Sequence, residues 1–267
     1  MEKEKAMERK FGANVHLTIK GPIAWVVIDR PPLNLLTAPL VQDFRAALTI
    51  VSQQKTLRVL VVTGGGEKAF IAGVDVKEMV DLTPPRARRF ISLLHAAMHD
   101  LRRLPLPVIA RVNGYALGGG CEMAMACDLR IASTQARFGM PEVRLGIPSV
   151  IEAALMPALI GGTRAMDLLL TGRMIDAQTA LDWGLVNRMV ETEALDAAVE
   201  EMIRHLLQCA PEALAAQKRL IYQWMDSSMS QAFRLGIDAF ARAYRTTEPH
   251  EGMRAFQEKR SPRWGQA

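Results

Sequence analysis

The apolar positions along the chain change period several times, and each change marks an element. Residues 15–19 and 24–29 are short β-rich runs separated by Gly21-Pro22, the pattern of a hairpin. Arg30-Pro31-Pro32-Leu33-Asn34 then breaks the second run into a loop. Leu40, Phe44, Ala47, Leu48 and Val51 recur at helical spacing and predict a helix over 39–54. Residues 58–63, RVLVVT, form a continuous apolar run, as expected of a strand covered on both faces, and Gly64-Gly65-Gly66 ends it. A helix start is predicted at 76–79 and a long helix over 84–104. Residues 107–112, PVIARV, read as a second buried strand. A second glycine triplet (Gly118, Gly119, Gly120), a helix carrying Glu122 and a third strand over 128–132 follow. Strand, glycine turn and helix thus occur in order twice, after Thr63 and after Val112, which implies parallel βα units. From Glu152 onward the pattern is helical. A helix over 176–183 is closed by Gly184, and further helices are expected over 193–209, 211–225, 229–246 and 251–260, with one short strand over 187–190. No low-complexity linker divides the chain. The expectation is an α/β core over residues 1–190 and a helical region over 191–267.

Composition narrows the class. With 49% hydrophobic and 23% charged residues in 267, this is ordinary globular material. Thirty-three basic against 28 acidic residues leave a net charge of +5, which suits an anionic small ligand as well as a nucleic acid. No basic run interleaved with aromatics occurs, and aromatics are only 6%, so nucleic-acid binding is the weaker choice. Cys121, Cys127 and Cys209 are an odd, sparse set without CxxC spacing. They argue for reduced thiols in a cytoplasmic setting and against zinc. The opening MEKEKAMERK alternates acid and base, unlike a signal or transit peptide, and no apolar run reaches membrane-spanning length. His95 and His99 are four apart, but no glutamate follows His95 and no third ligand is near. They read as surface or subunit-contact histidines, and no metal site is expected.

The stretch 113–146 concentrates the chemistry. Glu122 lies inside the apolar run CEMAMAC, and Glu142 follows Pro141 at the mouth of another apolar segment. For either glutamate alone, an acid placed at a helix N-terminus is account enough. Two of them, beside glycines set between an apolar strand and an apolar helix, point to a catalytic site, because a carboxylate in apolar surroundings costs free energy. Ligands in open α/β sheets sit at the carboxyl ends of strands, where both glycine turns fall. A glycine turn entering a helix leaves backbone N–H groups free at the positive end of the helix dipole. Turns at Val74 and Gly119 can aim two such groups at one oxygen, an oxyanion hole in which each donor is typically worth about 3–4 kcal/mol. Two carboxyl groups in different environments give one site both an acid and a base.

FIAGVDVKEM, PVIARVNGYALGGGCEMAMACDLRIAS and FGMPEVRLGI, continued through LTGRMIDAQTALDWGLVNRMV to EGMRAFQEKR, resemble the crotonase, or enoyl-CoA hydratase/isomerase, superfamily over nearly the whole chain. The resemblance implies a spiral of ββα turns with a helical trimerisation region, and coenzyme A thioesters as ligands, with no permanently bound cofactor. Val74 and Gly119 match the family's oxyanion hole. Ala72, Asp75, Val76 and Lys77 fall where the family holds the adenine and pantetheine parts, and Arg30 and Leu33 where the first loop passes the CoA. Phe256 and Lys259 match C-terminal positions that reach the CoA of a site, often a neighbour's. The assembly implied is a homotrimer or a dimer of trimers, with no nucleic acid and no membrane as partner. Hydratases of the family have two glutamates at the positions of Glu122 and Glu142, which implies syn addition of water across an α,β double bond. Isomerases, decarboxylases and hydrolases of the same superfamily are the alternative chemistry, and non-catalytic or RNA-binding relatives the alternative class.

One departure stands out. Where the family runs P-G-x-G-G-T-Q-R, this chain reads PSVIEAAL from Pro148. Ser149, Val150, Ile151 and Glu152 therefore add side chains to a segment that walls the acyl pocket in the family, and a reshaped pocket is expected. Glu152 either adds a polar group there or faces solvent as a helix-start acid.

Overall fold

The computed structural model describes residues 6–264. Of the mixed-charge N-terminus, residues 1–5 lie outside that range. A seven-stranded sheet forms the backbone of the fold, in the order β1 (Met7–Phe11), β2 (Val15–Lys20), β3 (Ile23–Ile28), β4 (Val59–Gly64), β6 (Val108–Val112), β8 (Leu129–Ser133) and β11 (Arg188–Val190). The first three strands are antiparallel and all later neighbours parallel. A second, four-stranded sheet runs β10 (Met174–Asp176), β9 (Arg137–Gly139), β7 (Tyr115–Leu117) and β5 (Ala69–Ile71). Each turn of the chain therefore supplies one strand to the large sheet, one short strand to the small sheet and then helix. β4 and β5 lead to α2 (Pro84–Arg103) and β6 and β7 to α3 (Gly119–Ala126), while α1 (Ala38–Gln53) precedes the first such turn.

The central strands of the large sheet, β4, β6 and β8, are buried on both faces, as their continuous apolar runs require. In β4, Leu60 and Val62 join the main core with Phe44 of α1 and Met98 of α2, while Val59 and Val61 face the other way. There they meet Leu195, Val199 and Ile203 of α7 (Leu195–Gln208), which follows α4 (Met156–Ile160), α5 (Gly162–Thr171) and α6 (Ala177–Asp182). The expected hairpin, the helix at 39–54, the long helix and the three parallel strands all form. Four corrections apply. Residues 76–79 give only a 3-10 turn, Val76–Glu78, capped by the Asp75 side chain. The tract after Glu152 is not wholly helical, because β10 interrupts it. The last helix, α10 (Glu248–Gln257), starts a turn earlier than 251, on Thr247 with Pro249 in its first turn. β1 and the whole small sheet were not anticipated.

Beyond α7 come the helices α8 (Pro211–Met225), α9 (Met229–Ala243) and α10. A buried ion cluster ties α8 to the core. Lys218 Nζ lies 2.7 Å from Asp128 Oδ2 and donates to the carbonyls of Leu106 (3.0 Å) and Leu101 (3.3 Å). Asp128 also accepts from Tyr222 Oη at 2.8 Å and from the Val108 N–H at 2.7 Å. Burial holds the Lys218 ammonium below its ordinary range, which the neighbouring Asp128 charge offsets in part. Among the described residues no helix is long and apolar enough to cross a membrane.

Removing one member of such a cluster leaves the other charge buried and unpaired, typically a loss of about 3–5 kcal/mol. Asp128→Ala is expected to lower stability by about that much in urea unfolding, and by more than Lys218→Met, which leaves the carboxylate its Tyr222 and Val108 donors.

Candidate functional site

The site forms where β5 and β7 end. α3 starts so close to β5 that a Cβ at Gly120 would stand 1.9 Å from the Ile71 carbonyl oxygen, so only glycine allows this approach. Gly118 precedes it at φ +52°, and its N–H donates to the Gly139 carbonyl at 2.9 Å. Across from α3, the chain after β5 is stitched to the first loop. Ala72 N–H donates to Leu33 O (3.0 Å), Leu36 N–H to Gly73 O (2.9 Å) and Asp75 N–H to Leu36 O (2.9 Å). This bridge occupies the residues on either side of Val74 and turns Val74's own N–H away from it. Among the described residues, neither Val74 N–H nor Gly119 N–H has a protein acceptor. The two turns adjoin: a Cβ at Gly119 would meet Val74 Cγ2 at 3.4 Å.

Both glutamates lie at the start of α3, one on its first turn and one against Gly118. Glu122, in the first turn of α3, is only 4% exposed. Its Oε1 accepts from Ala153 N–H at 3.0 Å. Burial pushes its carboxyl group up to about 8. The neighbouring Glu142 and Glu152 charges add to the rise, and the Ala153 N–H opposes it. Glu142 comes from the 3-10 turn Pro141–Leu145 and lies against Gly118, where a Cβ would stand 2.5 Å from Glu142 Oε1. Ser149 Oγ donates to Glu142 Oε2 at 2.7 Å. Cys121, next to Glu122, is fully buried, and burial pushes its thiol up to about 12.

The other sequence candidates fall into two groups. Arg30, Leu33, Ala72, Asp75, Val76 and Lys77 meet on one side. Arg30 pairs with Asp75 at 2.8 Å, and that hydrogen bond holds the Asp75 carboxyl group below its usual range. Val76 and Lys77 are exposed beside them. Phe256 and Lys259 belong to the C-terminal helix region instead. Phe256, at the end of α10, is 86% exposed, and no hydrogen bond or ion pair among the described residues joins either side chain to the loops at 30–36 or 72–77. Of the departing segment, Val150 is exposed and Ile151 half-buried. Glu152 is 2% exposed, so it does not face solvent. Its oxygens lie 3.0 and 3.3 Å from His95 Nδ1. Two asparagines escaped notice. Asn34 Nδ2 donates to Ala69 O (2.8 Å) and Gly65 O (3.0 Å), and Asn113 Nδ2 to Gly66 O (2.7 Å), so both amides hold the loop that leads to Val74. An Asn-Gly pair directly after a buried strand, Asn113-Gly114, is the signal that could have found one of them.

Residues 18–267 match the family model described as enoyl-CoA hydratase/isomerase. The chain is 38% identical over 249 residues to a short-chain-enoyl-CoA hydratase of Clostridium acetobutylicum, covering 92% of this chain and 95% of that protein. It is 37% identical to a crotonyl-CoA hydratase of Syntrophomonas wolfei, covering 92% and 96%. The crystal structure of an enoyl-CoA hydratase from Bacillus anthracis superposes with a TM-score of 0.90 at 33% identity, over 94% of this chain and 98% of that one. Likeness in sequence and fold over this much of the molecule makes the chain a member of the enoyl-CoA hydratase/isomerase family.

Proposed function

We propose that this chain is an enoyl-CoA hydratase that adds water across the α,β double bond of an acyl-CoA thioester. The observation that carries the reading is the meeting of two carboxyl groups, Glu122 and Glu142, with two adjoining N–H donors, Val74 and Gly119, at the ends of β5 and β7. Backbone donors fixed before substrate arrives need no reorganisation when charge develops on the thioester oxygen. As water oxygen bonds to Cβ, one carboxylate takes the water's proton. The π electrons pass to Cα and the carbonyl, whose oxygen the two N–H groups hold as an enolate, and the other carboxyl group delivers a proton to Cα. Burial keeps a proton on Glu122 to about pH 8, so the site holds a donor at neutral pH. Arg30, Leu33, Ala72, Asp75, Val76 and Lys77 form the CoA-binding edge of this reading, which is that of a cytoplasmic enzyme without a resident cofactor.

The reading extends to assembly and acyl group. On α9, Met229, Phe233, Ile237 and Phe240 are 64–69% exposed along one face, and an apolar helix face of this kind calls for a partner. A homotrimer or a dimer of trimers would cover it and carry Phe256 and Lys259 to a neighbour's CoA. In this reading the side chains of 149–152 reshape the acyl end, so a branched, cyclic or polar-ended chain is expected to outrun a short linear one.

The test is hydration of a panel of enoyl-CoA esters, followed by loss of the conjugated thioester absorbance. Glu122→Gln and Glu142→Gln are each expected to lose roughly 10²–10⁴-fold in turnover while staying folded. Near-normal turnover in either would remove that residue from the chemistry, and crotonyl-CoA as the best substrate would overturn the reshaped pocket.

Glu122 also carries a stability cost with a defined pH window. Its folded-state proton is held to about pH 8 against an ordinary value of 4.5, so stability falls as pH rises from about 4.5 and stops falling near 8. Glutamine mimics the protonated acid and is spared this loss, on the order of a few kcal/mol. Thermal melts of Glu122→Gln and wild type should coincide near pH 4.5 and separate near pH 8, with the variant the more stable. Equal melting temperatures at both pH values would contradict the buried, proton-holding Glu122.

Light scattering at micromolar concentration should give three or six times the chain mass. Phe233→Asp with Ile237→Asp should dissociate the assembly, and a monomeric wild type would overturn the oligomer.

A further inference from the structure

The segment that departs from the family pattern touches both glutamates of the site. Within five residues, Ser149 Oγ donates to Glu142 Oε2 (2.7 Å) and Ala153 N–H donates to Glu122 Oε1 (3.0 Å). Between them the backbone turns sharply. Ile151 sits at φ +45°, in the left-handed region that a β-branched residue avoids. Such a conformation persists only where the surroundings over-determine it. Here the Ala153 N–H closes the turn onto Val150 O at 3.0 Å, Ile151 packs on the main core, and Glu152 is latched to α2 through His95 Nδ1 at 3.0 and 3.3 Å. Glu152 is 2% exposed, whereas the His95 side chain is 49% exposed, so the latch joins the buried turn to the outer surface of α2.

We propose that Ser149, Glu152 and His95 are positioning residues: the turn 149–153 orients both site carboxyl groups at once, and the His95–Glu152 pair holds that turn in place. This rests on the hydratase reading for its effect on turnover, but the geometry stands without it. A hydroxyl on Glu142 leaves one of its oxygens directed by Ser149 and the other facing Gly118. The Ala153 N–H does the same for Glu122, whose free oxygen is left for substrate or water. The departing side chains thus serve the acids as well as the acyl wall. The titratable and charged groups around Glu122 are Glu142 on the turn at 141–145, Glu152 on the turn at 151–155, His95 and then His99 on α2, Cys121 on α3 itself, and Arg130 beyond Cys121. Glu152 is thus a negative charge beside Glu122 whose removal lets Glu122 release its proton at lower pH.

The experiment takes the full-length protein and compares Ser149→Ala, Ser149→Thr, His95→Ala, His95→Gln and Glu152→Gln with wild type. The readouts are crotonyl-CoA hydration and, separately, ¹³C NMR titration of glutamate carboxyl groups. Ser149→Ala is expected to lower kcat about tenfold, the worth of one hydrogen bond to a charged acceptor, with KM within about twofold. Ser149→Thr, which retains the hydroxyl, should recover most of the loss. His95→Ala should lower kcat similarly, and His95→Gln, whose amide can still donate to Glu152, should recover part of it. Glu152→Gln should move the Glu122 titration below its wild-type midpoint and shift the matching limb of the kcat/KM pH profile in the same direction. An unchanged kcat in both Ser149→Ala and His95→Ala, with an unmoved Glu122 midpoint in Glu152→Gln, overturns the proposal. A wild type that hydrates no enoyl-CoA overturns the hydratase reading instead. The NMR midpoint then still decides whether the latch acts on Glu122, and a Glu122 midpoint that Glu152→Gln leaves in place counts against it even so. His95 is half-exposed, so its variants keep the test open if Glu152→Gln fails to fold.

Discussion

The contact between Gly120 and the Ile71 carbonyl oxygen sets the geometry of the site. No side chain fits there, since a Cβ would stand 1.9 Å from that oxygen. α3 therefore rests directly on the end of β5, and three features follow from one approach. The first N–H of α3, on Gly119, comes beside Val74. Glu122, one turn into the helix, is carried into the interior with it. Gly118, bare of a side chain, leaves room for the Glu142 carboxylate, since a Cβ there would stand 2.5 Å from its Oε1. A single larger residue at 118 or 120 would disturb donors and acids together, so the triplet acts as one structural unit.

That approach costs stability, because it buries a carboxyl group. Glu122 has one N–H donor from the protein and two acidic neighbours, so the proton is retained well above the ordinary range. The chain tolerates the cost because the surrounding scaffold is over-braced. Asn34 and Asn113 pin the glycine loop after β4, the 33–36 segment pairs with 72–75, and Arg30 closes on Asp75. The Lys218–Asp128–Tyr222 cluster fixes α8 against the same strands from the far side. Function of this kind is paid for by rigidity elsewhere, a common partition in enzymes.

Much of this was legible in the sequence, and the limits have physical causes. The parallel strands at 59–64 and 108–112 were readable because burial on both faces leaves a continuous apolar run, and α1 because Leu40, Phe44 and Leu48 keep a helical period. The small sheet was not, since β5, β7, β9 and β10 are three residues each and three residues carry no period. Yet those strands place Val74 and Gly119. The glutamates and glycine turns were visible as residues at odds with their surroundings, an acid within CEMAMAC and glycines where a strand should continue. Their mutual distance was not, because it depends on how two separate turns stack. Glu152 is the clearest case. From sequence it had two readings, pocket or solvent, and neither included His95, which lies 57 positions away on α2 and enters only through tertiary packing.

The His95–Glu152 pair also bears on why a family pattern can lose its glycines without losing its fold. Glycine at 151 would adopt φ +45° freely, whereas isoleucine there is strained and needs an external hold. The substitution at 151 and the carboxylate at 152 are therefore coupled: the second anchors to α2 the turn that the first makes costly. Ile151 in turn contributes apolar packing against the main core that glycine could not. Strain, latch and burial together leave a stiffer turn than a run of glycines would give, and stiffness is what two carboxyl groups need if they are to hold a small molecule such as water between them at fixed distance. The loop that looked like a local loss of family character is, in physical terms, a different way of meeting the same constraint.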